Sequence, residues 1–248
     1  MSGVYSHLES VRREKGAGYL VLIDPDSKND GKIKSLVESV NKSGADAVLV
    51  GGSLIMDSGF GERAKKIKSL SDVPVILFPG SVSQLGPYFD AVLFMSIISG
   101  RNPTYLIGEQ VIGAPIVKDL GLEAIPTGYM LFDGGSHSTV EFMSNSRPLS
   151  MNRPEIAVAH GLAGQYLGMK FLYLEAGSGA SFPISDETVV AVSENCDIPI
   201  IVGGGITDPK TAASKVKAGA SFVVTGTVAE SDDSSVILSD FADAIHGV

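Results

Sequence analysis

The chain repeats one pattern: a short block of consecutive apolar residues, a cluster of Gly, Ser, Asp or Pro, then a longer stretch with apolar positions at helical spacing. The short blocks fall at 19–23, 47–50, 75–78, 91–95, 123–131, 171–174, 199–202 and 222–224. Most are unbroken Val, Ile and Leu rather than alternating apolar and polar, as in parallel strands buried on both faces. Helical spacing occupies 30–43, 62–70, 103–120, 153–167, 185–194, 209–218 and 236–245. In the first of these Ile33, Leu36, Val37 and Val40 share a face and Gly44 offers a C-terminal stop. Asp208 before Pro209 has the form of an N-cap followed by proline at the first helical position. The connection at 85–90 is too short for a long helix. Eight strands alternating with helices predict a single-domain TIM-type (β/α)8 barrel over residues 1–248, with an open doubly wound sheet as the competing arrangement.

Two segments depart from this rhythm. After the fifth block the chain reads LFDGGSHSTVEFMSNSRPLSMNRP, a connection long enough to expect a functional role. Its apolar members Val140, Phe142, Met143 and Leu149 suit a segment that folds over something. The helical stretch 103–120 carries Tyr105, Leu106, Ile107, Val111, Ile112, Ile116 and Val117, more than the single apolar face of an outer barrel helix. The excess predicts a greasy groove or a subunit interface, and so a homo-oligomer.

Composition narrows the class. With 44% apolar and 19% charged residues the chain is not disordered. Cys196 is the only cysteine, so there is no disulfide framework, and a reducing, cytoplasmic setting is expected. A net charge of −9 argues against a nucleic-acid partner, and an anionic substrate would need a local cation or backbone N–H groups. No apolar stretch is long enough to span a membrane, and the first 18 residues lack the apolar centre of a signal peptide.

In a barrel of this kind the chemistry gathers where strands end. Reading past each block gives Asp24-Pro25-Asp26, Gly51-Gly52-Ser53, Pro79-Gly80-Ser81, Ser99-Gly100-Arg101-Asn102, Thr127-Gly128-Tyr129, Glu175-Ala176-Gly177-Ser178-Gly179, Gly203-Gly204-Gly205 and Thr225-Gly226-Thr227. Glycine lets backbone N–H groups approach a phosphate, and the helix after each loop is expected to add its N-terminal dipole. One such loop is as well read as a tight turn; a pair at the seventh and eighth strands points to phosphate. Asp24 with Ser53 on the adjacent strand suits Mg²⁺, which needs only one or two carboxylates beside substrate phosphate, although Asp at a strand end also caps turns. Glu175 faces the barrel mouth, either orienting substrate hydroxyls and taking a proton or serving as a structural carboxylate.

The other polar residues carry less. His7, His137, His160 and His246 have no metal-ligand spacing. Cys196 lies at the wrong end of a strand for a nucleophile and reads as a small buried hydrophobe. Arg101 suits either a diphosphate contact or an ordinary salt bridge, and Lys65, Lys66 and Lys68 read as a solvated helix face.

Taken in order, LIDPDS, VGGS, ISGRNP, PTGYMLFDGG, YLEAGSG, VGGGI and TGT resemble the geranylgeranylglyceryl phosphate synthase family, in particular its second group. That family includes the heptaprenylglyceryl phosphate synthases, and the resemblance runs from about Tyr19 to Thr227. It implies a TIM-type barrel that needs Mg²⁺. It further implies transfer of a geranylgeranyl or similar polyprenyl group from its diphosphate to the 3-hydroxyl of sn-glycerol 1-phosphate, the first ether bond of archaeal-type membrane lipids. By the same resemblance Asp24 and Ser53 hold the metal, and Glu175 and Asp24 are the catalytic residues. Tyr173, Leu174, Glu175, Ala176, Gly177, Ser178 and Gly179 hold the glycerol part, and Gly203, Gly204, Gly205, Gly226 and Thr227 its phosphate. The lipid product implies proximity to a membrane surface. Two positions depart from the family pattern. Leu22 stands where the first group carries a lysine, and Ser27 precedes Lys28 where many relatives read DPDK. Two other classes fit the residues alone: a sugar-phosphate isomerase or lyase on the same barrel, against which the absence of a strand-end lysine counts, and a non-catalytic prenyl- or phosphate-binding module.

Overall fold

A computed structural model describes residues 3–230 and 234–248. Its eight strands are β1 (Gly18–Ile23), β2 (Ala47–Val50), β3 (Val75–Leu77), β4 (Ala91–Ile97), β5 (Glu123–Leu131), β6 (Phe171–Glu175), β7 (Ile200–Gly203) and β8 (Phe222–Thr225). All neighbours pair in parallel, and β1 closes on β8 through Tyr19↔Val223 and Leu20↔Val224. This is the closed barrel that the apolar blocks predict, not an open sheet.

Alternation along each strand splits the core into two layers. Leu20, Leu49, Ile76, Leu93, Phe171, Ile201 and Phe222 fill the barrel interior. Val21, Val48, Val75, Leu172, Val202 and Val223 meet the surrounding helices. Those helices are α2 (Ile33–Ser43), α3 (Phe60–Leu70), α4 (Glu109–Leu120), α6 (Pro154–Tyr166), α7 (Asp186–Asn195), α8 (Pro209–Lys217) and α9 (Ser234–His246). Cys196 is buried at the end of α7 and unpaired, as its position predicts.

Two features depart from the sequence pattern. The N-terminal segment forms α1 (Val4–Lys15), and its Val4 and Leu8 plug the bottom of the barrel. Glu123, the first residue of β5, accepts hydrogen bonds from the Val4 and Tyr5 N–H groups, so α1's free N-terminal donors are satisfied by the strand it seals. The stretch expected as one helix at 103–120 begins with a π-helical turn, Thr104–Gly108, before α4. Between β3 and β4 the chain makes only a 3-10 turn, Val82–Gln84, in keeping with the short connection expected there.

The long connection after β5 folds into α5 (Thr139–Ser144), capped by the Ser138 side chain, which accepts from Glu141 N at 3.3 Å. A bridge between Phe132 and Leu149 pins both ends of this segment beside the mouth. Among the described residues no helix is long and apolar enough to cross a membrane.

Candidate active site

The C-terminal ends of the strands open into a cavity of about 740 Å³. Parity along the strands decides what reaches it. Counting in twos from the interior residues leads from Leu20 and Leu22 to Asp24, from Leu49 and Gly51 to Ser53, and from Phe171 and Tyr173 to Glu175. Asp24, Ser53, Tyr173, Glu175, Ser178, Gly179, Gly204, Gly205, Gly226 and Thr227 all line the cavity.

Glu175 is the last residue of β6 and only 7% exposed. Its Oε1 accepts a hydrogen bond from Gly177 N at 2.7 Å. Burial pushes its carboxyl up to about 7, against the pull of that N–H and of the neighbouring Tyr173 hydroxyl. Such a carboxyl is poised to exchange a proton near neutral pH. The Tyr173 hydroxyl is buried beside it and makes no hydrogen bond of normal geometry. Burial, then the nearby Glu175, raises its ionisation well above the ordinary tyrosine range, so it stays neutral. An orphaned hydroxyl in a polar cavity is a donor and acceptor waiting for a ligand. Tyr173 is held upright by Phe78, stacked at 5.0 Å, and Tyr129 at 5.5 Å.

The β7 end must be glycine for steric reasons. A Cβ on Gly203 would lie 2.6 Å from the Tyr173 hydroxyl. Gly204 has φ +80°, and a Cβ there would lie 2.4 Å from Glu175 Oε1. Among the described residues no acceptor is bonded to the N–H groups of Gly204, Gly205, Gly226 or Thr227. Free N–H groups on two adjacent loops form an anion cradle. At β7 Asp208 caps α8, accepting from Thr211 N at 2.9 Å, so the cradle there is made by the loop's own N–H groups. After β8 the chain enters a 3-10 turn, Thr227–Glu230, rather than an α-helix.

Leu174 and Ala176 do not reach the cavity. They sit at the opposite parity and pack into the outer layer against the helices. Gly177 acts through its N–H on Glu175, and Gly203 by leaving room for Tyr173.

Asp24 is half-buried at the mouth, and no hydrogen bond reaches its carboxylate among the described residues. Burial pushes the pKa of its carboxyl up, Lys28 opposes this, and Asp26 and Glu230 add to the rise. A carboxylate with unfilled acceptors beside further negative charge fits a divalent cation, with Ser53 supplying a neutral oxygen. Asp26 does not join it: its Oδ1 accepts from Lys28 N at 2.9 Å and caps the turn Ser27–Asn29. Arg101 turns away, its guanidinium bonded to the Gly100 carbonyl at 2.7 Å and lying beside His160. His7 and His246 gather around Asp46 at the barrel bottom, and His137 is fully exposed, so no histidine reaches the mouth. Lys68 pairs with Asp90 at 2.6 Å instead of standing free.

Two elements cover the opening. Val140 and Met143 of α5 line it on one side. Tyr105, Gly113 and Val117 of the π-turn and α4 line an apolar extension together with Val82, Leu85 and Phe94. The apolar excess of this helix therefore has two faces, since Ile107, Val111 and Ile112 point outward and are exposed. Phe78 and Glu230 also line the cavity, and neither carried a signal in the sequence pattern.

The model of the PcrB family matches residues 9–245. A geranylgeranylglyceryl phosphate synthase of Chitinophaga pinensis is 44% identical over 236 residues, covering 95% of this chain and 93% of that protein. One of Methanopyrus kandleri is 45% identical over 230 residues, covering 93% and 94%. The crystal structure of (S)-3-O-geranylgeranylglyceryl phosphate synthase from Thermoplasma acidophilum, in complex with its substrate sn-glycerol-1-phosphate, superposes with a TM-score of 0.94 at 34% identity over the whole of both chains. By sequence and by fold over nearly its full length, the chain belongs to the PcrB family.

Proposed function

We propose that the protein is a Mg²⁺-dependent prenyltransferase that moves a geranylgeranyl or similar polyprenyl group from its diphosphate to the 3-hydroxyl of sn-glycerol 1-phosphate. The observation that carries this reading is the grouping at β6, β7 and β8: a carboxyl poised near neutrality, an orphaned hydroxyl beside it, and free N–H groups one loop away. Their chemistry matches a glycerol phosphate, with the phosphate in the N–H cradle and the hydroxyls at Tyr173 and Glu175. The 34%-identical barrel with sn-glycerol-1-phosphate bound supports the same acceptor.

In the reaction the 3-hydroxyl oxygen forms a bond to C1 of the prenyl donor. The bond between C1 and the diphosphate oxygen breaks, and its electron pair leaves on the diphosphate. Glu175 takes the hydroxyl proton. Asp24 and Ser53 would hold Mg²⁺, which supplies charge neutralisation for the leaving diphosphate. The prenyl chain lies along Val82, Leu85, Phe94, Tyr105 and Val117, where an apolar tail leaves water at low cost. The exposed Ile107, Val111 and Ile112 stripe supports a homo-oligomer, and the single unpaired cysteine supports a cytoplasmic setting near the membrane that receives the lipid.

The test is a product assay by mass spectrometry with Mg²⁺, geranylgeranyl diphosphate and either sn-glycerol 1-phosphate or sn-glycerol 3-phosphate, alongside an EDTA control. A Mg²⁺-dependent ether product from the 1-phosphate alone is expected. No product from donors of several lengths overturns the reading. Light scattering that gives a clean monomer near the chain mass of 25.8 kDa overturns the oligomer.

A further inference from the structure

The cavity is short of positive charge. Its described lining includes the carboxylates of Asp24, Glu109, Glu175 and Glu230 and one cation, Lys28. Leu22 lines the wall between β1 and β8 and packs its Cβ beside Gly226, so no cation stands there. Both proposed substrates are multiply anionic. The N–H cradle answers one phosphate, but it lies at β7 and β8 and brings no net charge. The leaving diphosphate gathers charge as its bond to C1 breaks.

Lys28 sits on the turn Ser27–Asn29, which is fixed at both ends. Asp26 Oδ1 accepts from Lys28 N, and the buried Asn29 side chain donates to the Asp24 carbonyl at 2.9 Å and to Glu230 Oε1 at 3.2 Å. The turn therefore moves with Asp24, and it holds the Lys28 ammonium 3.4 Å from Glu230 Oε2, across the gap between the β1 and β8 loops. This pair is long, and the Lys28 side chain is more than half exposed, so its partner is easily exchanged. A multivalent anion arriving beside Asp24 competes well with one carboxylate for such an ammonium.

Resting on the prenyltransferase reading, we infer that Lys28 is the protein's own cation for the donor diphosphate, held in reserve by Glu230 until the diphosphate displaces that carboxylate. Lys28 then stabilises the charge left on the diphosphate when the bond to C1 breaks. Glu230 is a positioning residue that keeps the ammonium at the mouth in the empty enzyme.

The experiment measures inorganic diphosphate binding, with Mg²⁺ present, by titration calorimetry on the full chain for wild type, Lys28→Met, Lys28→Arg and Glu230→Gln. The affinity of sn-glycerol 1-phosphate and the thermal melt are measured in parallel. Lys28→Met is expected to weaken diphosphate binding roughly ten- to hundred-fold, the scale of one lost charged hydrogen bond, and to leave glycerol phosphate affinity and the melt unchanged. Lys28→Arg is expected to keep most of the affinity. Glu230→Gln, which releases the ammonium, is expected to bind diphosphate at least as tightly as wild type. Wild-type diphosphate affinity in Lys28→Met overturns the inference, as does a loss confined to glycerol phosphate or a Glu230→Gln variant that binds diphosphate more weakly. If wild type forms no ether but Lys28→Met still loses diphosphate, the diphosphate contact at Lys28 stands, and its role toward a prenyl donor falls with the prenyltransferase reading. If wild type forms the ether and Lys28→Met binds diphosphate normally, the inference alone falls.

Discussion

Glu175→Gln separates the proton chemistry from the architecture. The amide keeps the size and planarity of the carboxyl, and its oxygen still accepts from Gly177 N, so β6 and its loop need not move. What goes is the ability to ionise. In the folded protein burial raises the Glu175 carboxyl from its ordinary 4.5 to about 7. Below 4.5 it is protonated in both folded and unfolded chains, and burying it carries no ionic penalty. Between 4.5 and 7 the unfolded chain releases the proton while the folded chain keeps it, so stability falls as pH rises and the loss is complete above 7. At about 1.4 kcal/mol per pH unit the whole interval comes to about 3 kcal/mol. Glutamine pays none of it. Urea unfolding of both proteins from pH 4.5 to 8 is therefore expected to show equal stability at the acid end and an advantage to Glu175→Gln of about 3 kcal/mol at pH 8. Over the same range wild-type kcat is expected to rise with a midpoint near 7, and the variant to lose about 100-fold or more. A stability difference that does not change with pH, or a variant less stable than wild type at pH 8, would refute the claim that burial tunes this carboxyl. Undiminished turnover would remove it from the reaction. A substitution that stabilises the fold while removing the activity is the mark of a group kept for function.

Three further substitutions probe the surroundings. Tyr173→Phe removes a buried hydroxyl that lies beside Glu175 without a hydrogen bond of normal geometry, so differential scanning fluorimetry is expected to show little change in stability, while KM for sn-glycerol 1-phosphate rises about ten-fold, as for one lost hydrogen bond to a substrate. Gly204→Ala places a Cβ at φ +80°, within 2.4 Å of Glu175 Oε1, and is expected to cost about 1–3 kcal/mol by urea unfolding and to abolish acceptor binding by calorimetry. Asp46→Ala acts far from the mouth. Burial pushes this carboxyl up, but bonds from His246, Lys15 and Tyr19 N outweigh it and hold the carboxyl below its ordinary value. It therefore stabilises the fold above its ordinary range, and that stability is lost as pH falls through the lowered value. The variant leaves the buried Tyr19 N–H unpaired and is expected to lose about 1–3 kcal/mol at pH 7 by urea unfolding, with diphosphate and glycerol phosphate affinities unchanged.

The property that made the barrel legible also concealed half of its site. Parallel strands covered on both faces are apolar at most positions, so all eight stand out, the majority as unbroken blocks, and most are placed within a residue or two of where they lie. The same uniformity erases the alternation that would tell inside from outside. A motif such as YLEAGSG then reads as one continuous binding segment, although Tyr173 and Glu175 enter the cavity while Leu174 and Ala176 face the helices. Glycines escape this ambiguity at β7, because there they are required by what lies opposite, namely Tyr173 and Glu175. Charged residues at strand ends do not escape it: Asp24 and Arg101 look alike in sequence, yet one stands on the inward register and the other is consumed by loop carbonyls. The α1 plug and Glu230 were hidden for a different reason. Each depends on a partner far along the chain, Glu123 for the plug and Lys28 with Asn29 for Glu230, and neither follows a local period. Where a site residue lies on a strand, counting in twos from a large interior side chain recovers its direction. Where it lies on a loop, only the closure of the barrel, which sets the β8 loop beside β1, brings it into the site.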